Sequence, residues 1–281
     1  MKRILVTGKN SYVGTNLEKW LDDTPQNSYV IDSISLRSDA WKDKDFSEYD
    51  VVFHVAGIAH IKETKENANL YYKVNRDLAF EVAKKAKVEG VKQFIFLSSM
   101  SVYGIEKGVI SKNSPIKPKS NYGKSKYQAE ELILSLEDNN FTISILRPPM
   151  IYGKGCKGNY IRLAKLALKT PIFPDFDNKR SMIYIDNFSE FVKRIIDNNQ
   201  SGIFCPQNDE YIKTTDMVEL IAKTHGKKIK VTRFFNPFVN LMLKNGTVNK
   251  VFGDLIYDKD LSQLERYEQI SLIDSIKYTE M

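Results

Sequence analysis

The sequence predicts an α/β protein: a doubly wound parallel sheet with helices on both faces. Three observations carry that expectation. Short apolar runs alternate with stretches of helical spacing through the first half of the chain. The runs are continuous in apolar character, as in strands buried on both faces. The first of them ends at a glycine turn that opens straight into a helix.

The elements follow in order. Lys2–Thr7 reads as a strand because its apolar run stops at Gly8. Gly14–Leu21 has helical spacing. Tyr29–Arg37 is rich in β-formers, which places a strand at Tyr29–Leu36. Val51–Val55 is a buried-strand run, and Ala68–Glu89 a long amphipathic helix. Val91–Ser98 reads as a strand, Tyr122–Glu137 as a helix and Thr142–Arg147 as a strand. Beyond about residue 150 the alternation weakens. Asn159–Lys169 is helical, Pro171–Asn178 loop-like, Ser181–Asp186 a strand and Asn187–Asp197 a helix, followed by short irregular segments. The expected division is residues 1–155 as the main sheet domain and 156–281 as a small cap interleaved with the sheet.

Composition bounds the function. The 281 residues are 42% hydrophobic and 27% charged, values of a globular chain and not of a disordered one. No apolar run approaches the roughly 18 residues of a membrane helix. The apolar run before Thr7-Gly8 is too short for a secretory signal. A soluble, cytoplasmic protein without a membrane partner is expected. Cys156 and Cys205 form no disulfide framework, and His54, His60 and His225 show no ligand spacing, so no metal is expected. The formal charge of +7 is compatible with an anionic partner. The lysines are mixed with acids along the chain, so a solvated surface explains most of that charge and no nucleic-acid partner is expected.

The segment Ile4–Gly14 passes from strand through a tight turn to helix. Such a turn brings backbone close to phosphate and aims N–H groups and the helix dipole at it. Gly8 and Gly14 fit the outer glycines of a GxxGxxG fingerprint, with Ser11 in the middle place, where φ must not be positive. An acid at the next strand end would hold adenosine ribose hydroxyls, and an arginine would accept a 2′-phosphate. Asp32 falls inside the expected strand and Arg37 at its carboxyl end. That arrangement favours NADP, with NAD as the alternative.

Tyr122 and Lys126 stand at i and i+4, on one face of a helix. An ammonium beside a phenol is expected to bring its pKa down from about 10 towards neutrality, where a proton relay works best. The segment Leu97–Gly104 leaves a strand at the carboxyl edge of the sheet, where ligands of open parallel sheets sit. A serine there can donate to the same substrate oxygen.

With these residues in place the chain resembles the extended short-chain dehydrogenase/reductases, the NAD-dependent epimerase/dehydratase group. The resemblance covers nearly the whole chain and is most specific in residues 1–190. It rests on TGKNSYVG, HVAG at 54–57, KVN at 73–75, SSMSVYG at 98–104, YGKSK at 122–126 and RPPMIYGKG at 147–155. It implies a Rossmann-type dinucleotide-binding domain with a substrate-binding cap. It implies Tyr122 as acid/base, Ser99 as the catalytic serine, Ser101 as an auxiliary group, and Lys126 as partner of Tyr122 and holder of the nicotinamide ribose. For the cofactor it implies Gly8, Asn10, Ser11, Tyr12, Val13 and Gly14 in the loop. Val55, Ala56 and Gly57 would line the adenine side, and Asn75 would support them. For a nucleotide-sugar diphosphate it implies Asn159 and Arg180. The family's C-terminal RxGD is incomplete, since Phe252-Gly253-Asp254 lacks the arginine.

The resemblance also narrows the reaction. Dehydratase relatives carry Asp-Glu where this chain has Met100 and Ser101. Relatives that invert C3 and C5 carry a cysteine at the Met100 position and a histidine after Tyr152-Gly153, where Lys154 and Gly155 stand. What remains is hydride transfer with one proton relay. The phrasing SMSVYG and RPPMIYG is similar to capsular-polysaccharide enzymes that reduce 4-keto sugars. Reduction of a 4-keto nucleotide sugar with NADPH is therefore the first expectation and C4 epimerisation with bound NAD the alternative. A non-sugar dehydrogenase and a non-catalytic NADP-binding redox sensor are more remote. Apolar spacing on Ala68–Glu89 and Tyr122–Glu137 exceeds what one sheet face uses, so a homodimer is expected.

Overall fold

The structure is a computed structural model that describes residues 1–24, 28–59, 61–244, 246–261, 264 and 267–281. His60 lies outside the described residues. In chain order the elements begin with β1 (Lys2–Thr7), α1 (Tyr12–Asp22), β2 (Tyr29–Ile34) and β3 (Val51–His54). Then come α2 (Ala68–Tyr72), a π-helical turn (Lys73–Asp77), α3 (Leu78–Val88), β4 (Gln93–Leu97) and a 3₁₀ turn (Met100–Tyr103). They continue with β5 (Gly108–Ile110), α4 (Asn121–Leu134), β6 (Thr142–Leu146), β7 (Met150–Tyr152), α5 (Asn159–Lys169) and β8 (Ile172–Pro174). The remainder is β9 (Met182–Tyr184), α6 (Ile185–Asp197), β10 (Gly202–Phe204), α7 (Thr214–Thr224), β11 (Lys230–Thr232), α8 (Asn236–Met242), α9 (Gly246–Phe252), β12 (Leu255–Tyr257) and α10 (Leu272–Glu280). No helix among the described residues is long and apolar enough to cross a membrane.

Two compact units divide the chain. The first comprises Met1–Gly104, Ile116–Pro148 and Phe188–Pro206. Its six strands lie in the order β10-β6-β4-β3-β1-β2, every pair parallel. The strands are apolar on both faces because helices cover both. Ile4, Leu5, Val6, Val52, Phe53, Phe94, Ile95 and Ile145 are all fully buried. Because the strands run the same way, Thr7, His54, Leu97 and Leu146 end at one edge, and the loops that follow them share it.

The second unit comprises Ile105–Pro115, Pro149–Asn187 and Gln207–Met281. Its described residues hold three two-stranded parallel pairs, β11-β8, β12-β5 and β7-β9.

Three expectations need correction. The helix expected over Ala68–Glu89 is interrupted by the π turn at Lys73–Asp77. The stretch Pro171–Asn178 contains strand β8, which pairs with β11 despite its proline because that proline ends the strand. The C-terminal region is more regular than expected, with α7 and α10 of eleven and nine residues.

Candidate active site

The first unit gathers the turn between β1 and α1, the loop after β3 and the serine segment at the carboxyl edge of the sheet. β1 hands over to α1 through a turn in which Gly8 has φ 108° and Asn10 φ 64°. A side chain at Gly8 would also press to 3.0 Å from the Ala56 nitrogen. Ser11 stays extended at φ −73°, and its hydroxyl accepts from the Gly14 nitrogen at 3.2 Å, capping α1. Tyr12 and Val13 form the first turn of that helix.

On β2, Asp32 lies within the strand and its carboxylate accepts from the Tyr49 hydroxyl at 2.6 Å. Arg37 lies beyond the strand, which ends at Ile34 and not at Leu36, and is exposed.

After β3, residues 55–58 are held by Asn75. Its Oδ1 accepts from the Ile58 nitrogen at 2.7 Å, and its Nδ2 donates to the Ile58 carbonyl at 3.0 Å and to Ser125 Oγ at 3.2 Å. Ser125 Oγ in turn donates to the Tyr122 carbonyl at 2.9 Å. Asn75 is fully buried and sits within the π turn, the kind of helix irregularity that re-aims one side chain at a site. The chain Ile58–Asn75–Ser125–Tyr122 thus ties the loop after β3 to α4.

Helix α4 brings Tyr122 to the serines. Gly123 is buried, and a Cβ there would stand 2.7 Å from the Ser101 carbonyl. Only the absence of that atom lets α4 approach so closely. Tyr122 shares a hydrogen bond with Ser99. Ser99 donates to Ser101 Oγ at 3.2 Å and accepts from the Ser101 nitrogen at 3.1 Å. The start of α4 is fastened by Glu63, whose carboxylate accepts from the Asn121 and Tyr122 nitrogens at 3.0 and 3.1 Å.

Lys126 is buried, donates to the Leu97 carbonyl at 2.8 Å and lies 4.6 Å from the centre of the Phe96 ring. A Cβ on Gly57 would stand 3.2 Å from its Nζ and 3.0 Å from Asn75 Oδ1. Burial brings Lys126 down to about 7, with Glu130 pulling the other way. Burial pushes the Tyr122 phenol up, opposed by its hydrogen bond with Ser99 and assisted by Tyr71. This differs from the expectation that Lys126 lowers the phenol: burial is the largest influence on Tyr122, and the Lys126 amine is bonded to the Leu97 carbonyl.

These residues fit a dinucleotide. The glycine turn into the capped helix α1 suits a diphosphate, and Gly57 leaves room beside Lys126 where a side chain would intrude. Beneath them lies a network that sequence reading did not find. Arg147 at the end of β6 donates to Glu130 of α4 from Nε at 3.0 and 3.2 Å and from Nη2 at 2.5 Å. It also donates to the Tyr103 hydroxyl at 3.0 Å, and Ser98 donates to Glu130.

In the second unit, Asn159 is the exposed first residue of α5. Arg180 donates from Nη1 to the Gly253 carbonyl at 2.7 Å, and its backbone bridges to Ile212 and Leu255. Burial lowers its pKa, opposed by Asp254. The guanidinium thus meets the Gly253-Asp254 segment, although no arginine precedes that segment in sequence. Cys156 and Cys205 are buried and, among the described residues, neither is in a disulfide; the Cys205 sulfur lies 3.7 Å from the Tyr103 hydroxyl. No cluster of metal ligands occurs among the described residues.

Residues 4–204 match the NAD dependent epimerase/dehydratase family. A UDP-glucose 4-epimerase of Vibrio cholerae is 32% identical over 252 residues, 79% of this chain and 75% of that protein. The N-acetyl-alpha-D-glucosaminyl-diphospho-ditrans,octacis-undecaprenol 4-epimerase of Escherichia coli O157:H7 is 31% identical over 215 residues, 71% of this chain and 64% of that protein. The fold is that of the UDP-glucuronic acid 4-epimerase from Bacillus cereus solved with NAD, with TM-score 0.76 and 21% identity over 99% of this chain and 97% of that one. It is equally that of RMD from Pseudomonas aeruginosa solved with NADPH, with TM-score 0.76 and 17% identity over 99% and 98%.

Proposed function

The chain belongs to the NAD dependent epimerase/dehydratase family, and from that premise we propose that it is an NAD(P)-dependent enzyme acting at C4 of a nucleotide sugar. The observation that carries this reading is the Ser99–Tyr122 hydrogen bond at the carboxyl edge of the sheet, with Lys126 buried one turn along the same helix. When bound, the nicotinamide cofactor supplies the hydride acceptor and donor. The protein supplies the rest. Tyr122 exchanges a proton with the C4 oxygen, Ser99 holds that oxygen with a second hydrogen bond, and Lys126 binds ribose hydroxyls. The Ser11-capped turn holds the diphosphate. Asn75 fixes the loop that borders the adenine side.

Epimerisation and reduction both fit this machinery. The relatives from Vibrio and Escherichia are 4-epimerases by name and support hydride removal and return on one sugar. Reduction with NADPH is favoured by Arg37, exposed beyond β2, while Asp32 is engaged by Tyr49. We expect Arg37→Ala to weaken NADPH about tenfold more than NADH, as for one lost charge-assisted contact worth about 1.4 kcal/mol. Fluorescence titration of both cofactors checks it, and equal weakening removes the NADP assignment. Retained NAD in the purified protein supports epimerisation.

Asn159 and Arg180 are the candidate diphosphate ligands of the second unit. The Escherichia relative's name places its sugar on a diphospho-polyprenol, so the sugar diphosphate is the common element of the candidate substrates. The chain is also proposed to pair through α2–α3 and α4, which leave Leu70, Val88 and Leu132 at 43%, 78% and 36% exposure. Sedimentation velocity at micromolar concentration checks this, and a species of 32.4 kDa rejects it.

A further inference from the structure

The second unit carries an apolar face that the chemistry above does not use. The 3₁₀ turn Arg233–Phe235 runs directly into α8. Phe234, Phe238 and Leu241 are 82%, 62% and 75% exposed. Their spacing of i, i+4 and i+7 puts them on one side of the helical run. Phe235 and Met242 flank them, also exposed, and the Phe234 and Phe235 rings lie 5.4 Å apart. Val239 turns inward and is buried. A single exposed leucine is ordinary, but adjoining large apolar side chains of this kind mark an interaction surface.

Charge identifies what that surface meets. From Gly226 to Lys250 the sequence has Lys227, Lys228, Lys230, Arg233, Lys244 and Lys250 and not one Asp or Glu. All of these except Lys227 are exposed. Asp175 lies against the segment and accepts from Arg233 Nε at 3.1 Å, but it is also paired with Lys213 at 2.7 Å. The fringe therefore stays positive. Two copies meeting through this face would bring the same net positive fringe against itself. An anionic surface would instead complement it.

We propose that this face docks on an anionic lipid bilayer. Phe234, Phe238 and Leu241 enter the boundary between headgroups and acyl chains, and the lysines remain among the lipid phosphates. This departs from the sequence-based expectation of no membrane partner. It does not depend on the chemistry at C4.

The test is flotation of the full-length protein with vesicles of phosphatidylethanolamine and phosphatidylglycerol, and with vesicles of phosphatidylcholine alone. The wild type is expected to float with the anionic vesicles, to be released by salt, and to float poorly with phosphatidylcholine. The triple variant Phe234→Ser, Phe238→Ser, Leu241→Ser should lose about tenfold or more of its binding, because an interfacial helix holds through its buried apolar area. These side chains are exposed, so thermal melting should be unchanged and shows that the variant is folded. Flotation needs no turnover, so its outcome is independent of the C4 reading. A wild type that stays soluble with anionic vesicles overturns the proposal, as does a folded triple variant that floats equally well. Sedimentation without lipid should show the same oligomer for both proteins. Dissociation of the variant alone assigns the face to a second copy and also overturns the proposal.

Discussion

Tyr122→Phe is expected to turn over a nucleotide sugar at about one hundredth of the wild-type rate or less, the range for loss of a general acid/base, while binding the cofactor nearly as well. The substitution removes one oxygen and leaves the ring that packs at the start of α4. The Glu63 bonds to the Asn121 and Tyr122 nitrogens and the Ser125 bond to the Tyr122 carbonyl are all to main chain and survive. What disappears is the hydroxyl bonded to Ser99. The loss therefore falls on kcat. Lys126→Ala should differ: it removes the proposed ribose ligand, and so should weaken binding and rate at once. Wild-type turnover by Tyr122→Phe would make the spacing of Tyr122 and Lys126 a coincidence of a lysine-rich helix.

The largest stability effect is expected at Arg147. Arg147 and Glu130 have side chains only 5% and 1% exposed, with two-pronged bonding between them. Burial pulls the guanidinium down, but the bonds and charge of Glu130 outweigh it and hold it above its ordinary value. Arg147→Met leaves the Glu130 carboxylate buried without its cation. Stability should fall by about 3–5 kcal/mol, the cost of orphaning one member of a buried pair. The double variant Glu130→Leu, Arg147→Met removes both charges and should recover most of that loss. Urea denaturation measures both. A loss below about 1 kcal/mol for the single variant, the range of an exposed pair, would mean that the pair does not anchor the serine segment. Equal losses for the single and double variants would place the effect in packing and not in charge.

This pair shows where sequence reading ends. Arg147 and Glu130 stand 17 residues apart, one just past a strand and the other on a helix, and no local period connects them. Glu63 is equally silent: it caps α4 from a loop 58 residues away. The π turn is hidden because Ala68–Glu89 keeps helical spacing without a single Gly or Pro to mark a break. Its cause is tertiary, with Asn75 reaching the Ile58 backbone and Ser125. What was legible is what local pattern dictates. Val51–His54 is buried at every position, so its continuous apolar run announces a strand covered on both faces. Lys2–Thr7 and Asn159–Lys169 keep their expected bounds, since a glycine turn stops the strand and Gly158 opens the helix. Tyr122 and Lys126 share α4 as their spacing requires. Their titration was misjudged because spacing conveys proximity along a helix and nothing about desolvation.

The central claim is that hydride moves at C4 of a nucleotide sugar over Tyr122. The direct test uses a UDP-hexose deuterated at C4 with the purified protein and follows the label by mass spectrometry and nuclear magnetic resonance. The account predicts that the deuteron reaches the nicotinamide ring in single turnover, that the rate is slower than with the protiated sugar, and that Tyr122→Phe abolishes the transfer. Protein that binds both cofactor and sugar yet leaves the C4 deuteron in place would contradict it.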